Sequence, residues 1–156
     1  MEGTHETLTG DGPGSPDLLC FDLYSASRAM TALYRPLLED LGLTYPQYLT
    51  LAVLARDGSA TIAHLAAALR LDHGTLTPLL HRLEAAGLVS RAARAADRRA
   101  VEVSLTASGE RVAARFADIQ CAVTEATGLT AAQVHRLQGT LRSLVRRLDS
   151  RPESAA

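Results

Sequence analysis

TIAHLAAALRLDHGTLTPLLHRLEAAGLVSRAARAADRRAVEVSLT, residues 61–106, is the stretch whose reading decides the fold. Ile62, Leu65, Ala66 and Leu69 recur at helical spacing and give a short first helix one apolar face, with Thr61 placed to cap it. Asp72 stands where a second helix would begin, because its carboxylate can accept from the free amides of the first turn, and Gly87 stands where that helix would stop. Leu76, Leu79, Leu80 and Leu83 fall on one side of this second helix. The other side carries His73, Thr75, Thr77, Pro78, His81 and Arg82, small or basic groups suited to a base edge or a phosphate. After Gly87 the apolar period changes from about 3.6 to 2: Leu88 is followed by Val101, Val103 and Leu105 alternating with Glu102 and Ser104. That change predicts two strands joined as a hairpin. Its tip, residues 91–99, holds Arg91, Arg94, Arg98 and Arg99 against the single acid Asp97.

Helix, turn, helix and basic hairpin in this order read as a winged helix-turn-helix. In that arrangement the second helix enters the major groove of double-stranded DNA and the wing reaches an adjacent minor groove. The competing reading is an ordinary α+β domain with a solvated charged loop. The ordered set of parts, much less common than a helix-turn-helix pattern alone, favours the first. The whole chain has 16 basic and 17 acidic residues, a net charge of -1, yet all the bases are arginine and they are unevenly placed. Residues 1–22 carry five acids and no base, whereas residues 70–99 carry six arginines against Asp72, Glu84 and Asp97. A local basic patch matters to a nucleic-acid partner more than the overall balance does.

At 156 residues the chain is long enough for one domain with a substantial core. The expected fold is mostly α (α+β): a winged helix-turn-helix over 44–106, flanked by dimerisation helices over 15–43 and 107–150. A disordered arm over 1–14 and a tail over 151–156 complete the chain. Ser15, Pro16 and Asp17 form a helix-start signal, and an apolar stripe of Leu19, Leu23, Ala26, Met30, Leu33, Leu37 and Leu41 follows, ending at Gly42. Thr44 to Gln47 is a capping box for a helix running to about Arg56, with Asp57-Gly58 as its turn. Thr106 caps a further helix striped by Val112, Phe116, Ile119 and Val123 and closed by Gly128. Thr130 to Gln133 is a second capping box, and Val134, Leu137, Leu141, Leu144 and Leu148 line the last helix. The terminal helices carry more apolar surface than one small winged unit covers, which predicts a homodimer joined through them. Two-fold symmetry would set the reading heads about one DNA turn apart and call for a palindromic operator.

No apolar run reaches the roughly 18 residues of a membrane span, and the acidic, Gly-bearing start lacks the parts of a signal peptide. The expectation is a cytoplasmic protein with no membrane partner. Two cysteines are too few for a zinc site or a disulfide scaffold, and the histidines show no metal spacing with them, so neither metal nor cofactor is expected. Each thiol is then either core filling or a reactive group. Cys20 falls near the start of the first helix, at the positive end of its dipole, opposed by Asp17 and Asp22. Tyr24, four residues on, shares its face and can donate to a thiolate. Tyr34 returns to the same face, but about 21 Å further along the axis. It can assist Cys20 only from the other subunit, with the two first helices crossing in opposite directions.

The winged unit resembles the MarR family of bacterial transcription regulators. LDHGTLTPLLHRLEAAGLVSR matches that family's recognition helix and DRRAVEVSLTASGE its wing, with the Asp-x-Arg on Asp97 and Arg99. The first helix is similar to one subgroup, the organic hydroperoxide resistance repressors, through LCFDLYSASRAM, LYRPLLEDLGLTYPQYLTLAVL and GTLTPLL. The resemblance implies a dimeric repressor, not an enzyme, whose peroxide-sensing cysteine falls on Cys20 and whose hydrogen-bonding tyrosines fall on Tyr24 and Tyr34. It also implies that the oxidised sulfur condenses with another thiol, either a small external one or a second protein cysteine. Cys121 is the candidate for the latter, although the family's second cysteine stands nearer the ATGL segment, about where Glu125 lies. His73 departs from the small residue expected there. Two alternatives stay open: a repressor released by a small apolar or phenolic ligand, and a thiol peroxidase using Cys20.

Overall fold

Short polar side chains at helix starts and left-handed glycines at helix ends set the segmentation of the chain. A computed structural model describes residues 18–94 and 97–150, with the backbone alone at 94 and 97–100. The expected arm, the helix-start signal at Ser15 to Asp17 and the tail lie outside the described residues. Helix α1 (Leu19–Glu39) begins three residues beyond Pro16, with extended Leu18 as its N-cap and no capping side chain. It ends through Gly42 at φ +64°, whose amide donates to the Glu39 carbonyl while Leu43 donates to Leu38. Helix α2 (Tyr45–Asp57) follows the Thr44 box, in which the Thr44 amide donates to Gln47 Oε1 at 2.9 Å.

Strand β1 (Ser59–Thr61) was not expected, since three residues are too few to show a period. Helix α3 (Ile62–Leu69) starts where Thr61 Oγ1 accepts from the His64 amide, as expected. Helix α4 (His73–Ala85) starts at Asp72 and stops at Gly87, also as expected. Strands β2 (Val89–Arg94) and β3 (Asp97–Leu105) form the antiparallel hairpin, with an irregularity between Ala93 and Arg94. β1 adds to the free side of β3, giving the order β1-β3-β2. The hairpin itself is as read, but its charged tip is shorter. Arg91 lies within β2 opposite Val103 and is not a tip residue.

The helix expected after Thr106 is two helices, α5 (Ala107–Ala113) and α6 (Phe116–Thr127). Arg115 donates to Val112, three residues back, so the backbone tightens for one step before α6 restarts. No proline or glycine marks the break. Helix α7 (Ala131–Asp149) follows its capping box, with Gln133 Oε1 accepting from the Thr130 amide at 2.8 Å and Thr130 Oγ1 accepting from the Gln133 amide at 3.3 Å.

The chain divides into two compact units, one ending at Phe116 and one starting at Ala117. In the first, Leu38, Leu51, Leu54, Leu65, Leu76, Leu80, Leu83 and Val103 are fully buried. Each such side chain contributes about 1.5–3 kcal/mol through area removed from water. This core fixes α3, α4 and the base of the hairpin as one head. Gly109 completes the junction, since a Cβ there would lie 2.1 Å from the Leu88 carbonyl oxygen. Thr106 Oγ1 donates to the Gly87 carbonyl at 2.6 Å and accepts from the Gly109 amide at 3.1 Å.

Candidate nucleic-acid interface and thiol site

The apolar and polar sides of α4 separate as the sequence predicts. Leu76, Leu79, Leu80 and Leu83 are buried, while His73, Thr75, Thr77, Pro78, His81 and Arg82 are all exposed. Asp72 Oδ1 accepts from the Thr75 amide at 2.8 Å and Oδ2 from the Thr75 hydroxyl at 2.9 Å. Those bonds from Thr75 hold the Asp72 carboxyl below its usual range. They also occupy the Thr75 proton, so toward DNA this residue offers acceptor lone pairs and its methyl group. The exposed helix N-terminus and its small side chains together form a surface that a groove of DNA can receive.

The backbone of the hairpin carries Arg94 opposite Asp97, with Arg98 and Arg99 in the following residues of β3. The side chains of these four lie outside the described residues. Arg91, by contrast, is tied to α4. Its Nε donates to Glu84 Oε2 at 2.9 Å, its Nη2 donates to the same oxygen, and Nη2 lies 3.1 Å from His81 Nδ1. The guanidinium holds the Glu84 carboxyl below its usual range, the hydrogen bond being the largest cause. Sequence reasoning missed this partnership because it depends on the strand register that brings Arg91 over α4.

Cys20 is the second residue of α1 and is exposed, and Cys121 on α6 is exposed as well. Core filling therefore describes neither thiol in the single chain. Tyr24, 57 % exposed, accepts a hydrogen bond from Arg28 Nη1 at 3.0 Å, and the Arg28 guanidinium carbon is 5.6 Å from the ring centre. The phenolic proton of Tyr24 remains available to donate. Arg28 was not singled out from the sequence, although its position four residues after Tyr24 was a usable signal.

Tyr34 has a different setting. It is buried, with ring centres 4.9 Å from Tyr45 and 5.2 Å from Tyr48. Tyr48 in turn meets Phe116 edge-on at 4.7 Å. Burial, and then Tyr48, raise the Tyr45 phenol above its ordinary range. Cys121 lines an open groove with Gln120, Thr124, Glu125, Gly128 and Leu129, so it shares that surface with the Glu125 position. Among the described residues, no three His, Cys, Asp or Glu side chains are grouped to hold a metal ion, and no helix is long and apolar enough to cross a membrane.

A family model described as MarR family matches residues 41–100. The organic hydroperoxide resistance transcriptional regulator of Bacillus subtilis (strain 168) is 38% identical over 130 residues, spanning 83% of this chain and 88% of that protein. The chain belongs to the MarR family. Among solved structures, this MarR-family chain is similar to Bordetella bronchiseptica BpsR, whose DNA binding is regulated by 6-hydroxynicotinic acid. The TM-score is 0.73 and the identity 26%, over 81% of this chain and 98% of that one. It is also similar to reduced AbfR bound to DNA, with TM-score 0.66 and 28% identity over 85% and 93% of the two chains. The family and the relative in Bacillus are transcriptional regulators, and so is this protein. The thiol peroxidase alternative is set aside on that ground.

Proposed function

We propose that this regulator is a cytoplasmic homodimeric repressor that holds a palindromic operator and releases it when an organic hydroperoxide oxidises Cys20. The observation that carries the reading is the exposed Cys20 in the first turn of α1, one turn from Tyr24, in a chain similar over 130 residues to an organic hydroperoxide resistance regulator. The apolar residues of the terminal helices support the dimer. Leu19 and Phe21 on α1, and Leu137, Leu141, Val145 and Leu148 on α7, are exposed in the single chain. On this reading residues 15–150 work as one MarR-type domain, with 15–43 and 107–150 pairing the subunits around 44–106.

Thr75, Thr77, Pro78, His81 and Arg82 face the major groove or its phosphates, with His73 at the helix start. Arg98 or Arg99 reaches the minor groove, with Arg94 and Asp97 at the hairpin tip. In the sensing step the Cys20 thiolate attacks one peroxide oxygen. The S–O bond forms, the O–O bond breaks, the alcohol departs with a proton, and sulfur loses the two electrons that the peroxide gains. Tyr24, and Tyr34 from the second subunit, hydrogen-bond the thiolate but not the sulfenic acid in the same way. The interface helices shift, and the two heads lose the spacing of one operator. The sulfenic acid then condenses with a thiol, forming S–S and releasing water. That thiol is Cys121 of the second subunit or a small external one.

The test is operator binding by wild type, Cys20→Ser and Cys121→Ser, before and after cumene hydroperoxide, with non-reducing gels of the same samples. Wild type should release DNA and Cys20→Ser should stay bound. A covalent dimer requiring both cysteines identifies Cys121 as the second thiol, while its absence points to an external thiol. The likeness to BpsR supports a second reading, release by a small apolar or phenolic ligand, widened by that relative's own compound to small aromatic acids. Release of Cys20→Ser by such a compound, with no response of wild type to peroxide, selects it.

A further inference from the structure

We propose that Glu84 and Arg91 fix His81 as an Nε2–H donor on the outer face of α4, so that this position reads a hydrogen-bond acceptor on DNA. The inference rests on the reading that α4 enters the major groove, and it is independent of the trigger for release. A guanidinium has five donors, no acceptor, and does not lose its proton. A contact of 3.1 Å between Arg91 Nη2 and His81 Nδ1 is therefore a hydrogen bond only when the ring offers its Nδ1 lone pair. The ring proton is then on Nε2. The opposite tautomer would set two donors against each other.

The arginine that imposes this choice is itself held. Two of its nitrogens converge on Glu84 Oε2, one turn after His81 on the same helix, and its backbone is fixed opposite Val103 in the sheet. Its side chain is 22% exposed, so most of it is packed. The helix and the wing strand thus orient one imidazole between them, while His81 remains open on the side that carries Thr77 and Arg82. A lysine at this position would offer a mobile point charge to any phosphate. A held imidazole offers one neutral donor along one direction, which discriminates between acceptors by geometry. The acceptors within its chemistry are guanine N7 and O6, adenine N7 and thymine O4 on the major-groove edges, and a phosphate oxygen.

The experiment uses the full-length reduced protein and a duplex selected with it from a random-centred pool. Each purine is replaced in turn by its 7-deaza analogue, each guanine by 2-aminopurine and each thymine by 5-methyl-2-pyrimidinone, which lack O6 and O4, and each phosphate by a methylphosphonate, and binding is read by fluorescence anisotropy. At one position in each half-site wild type should weaken by about fivefold, the worth of one hydrogen bond. His81→Ala should show no penalty there, and Arg91→Met a reduced one. A base-analogue position assigns the acceptor to a base, a methylphosphonate position to the backbone. Should Arg91→Met lose its helical circular dichroism, Glu84→Gln, which weakens the hold on Arg91, should reduce the penalty in the same direction. Equal penalties in wild type and His81→Ala at every position would overturn the inference. So would a full wild-type penalty in a folded Arg91→Met, or a ring 15N spectrum of wild type showing the Nδ1–H form. Failure to bind any duplex would overturn the DNA-binding reading itself, and this inference with it.

Discussion

Helices α4 and α7 carry the same kind of sequence pattern and meet opposite fates. Both repeat leucine at helical spacing behind an acceptor cap. On α4 the four leucines are buried within the chain and the polar side is exposed. On α7 nothing is buried, and Leu137, Leu141, Val145 and Leu148 remain from 37% to 54% exposed. Periodicity states that a helix has an apolar side. It does not state which molecule covers that side. For α4 the cover is the head itself, so the helix is a finished structural part. For α7 the single chain leaves the apolar stripe in water, which is why its cover is proposed to be a second copy.

The contrast is open to direct attack. The largest effect should come from Leu80→Ala, which opens a cavity at a fully buried site and should cost about 2–5 kcal/mol in urea denaturation. Leu141→Asp should instead leave the helical signal of the chain nearly unchanged. It should raise the dimer dissociation constant about thirtyfold or more, the behaviour of a central interface residue losing at least 2 kcal/mol, as read by sedimentation. If Leu141→Asp leaves association untouched, or destabilises the chain as much as Leu80→Ala, the distinction between the two helices fails. Gly109→Ala should cost about 1–3 kcal/mol, since the added methyl meets the backbone carbonyl of Leu88 and no flexible side chain can give way.

Acid should act on the finished head, and its effect should be the smallest. Arg56, and then His64, hold the Asp57 carboxyl down at about 2 despite some desolvation. Thr75 and the amides at the start of α4 depress Asp72 as well. A depressed carboxylate stabilises the fold fully above its unfolded value of about 3.9, and that contribution is lost as pH falls through the folded value. Stability should therefore be steady above about pH 5 with respect to these two groups and decline toward pH 2. Denaturation curves for Asp57→Asn should show a shallower decline than wild type.

What was legible in the sequence was what is local. Thr61, Asp72, Thr106 and Thr130 act within one helical turn, and each accepts the backbone amide that its position predicts. The apolar side of α4 was equally plain, because four leucines at helical spacing define one face. Features that depend on distant chain were not legible. β1 exists because β3 offers it an edge, and three residues give no pattern of their own. Arg91 looked like a hairpin-tip charge until the register placed it against Glu84 and His81. Gly109 looks like a poor helix residue, and only the approach of the Leu88 carbonyl explains why a larger one does not fit. The break between α5 and α6 falls in an Ala-Ala-Arg run with no chemical marker. At the thiol, the face shared by Cys20 and Tyr24 followed from spacing, whereas the burial of Tyr34 among Tyr45 and Tyr48 belongs to the packing of α1 on α2.

The close seating of Gly109 on the exit of α4 has a mechanical meaning. The Thr106 hydroxyl clasps the Gly87 carbonyl, and the glycine lets the first turn of α5 lie directly on the backbone that leaves the reading helix. Reading helix, wing root and α5 are in effect one lever with a welded elbow. The proposed release from DNA would therefore carry α4, the wing root and the start of α5 together as one piece.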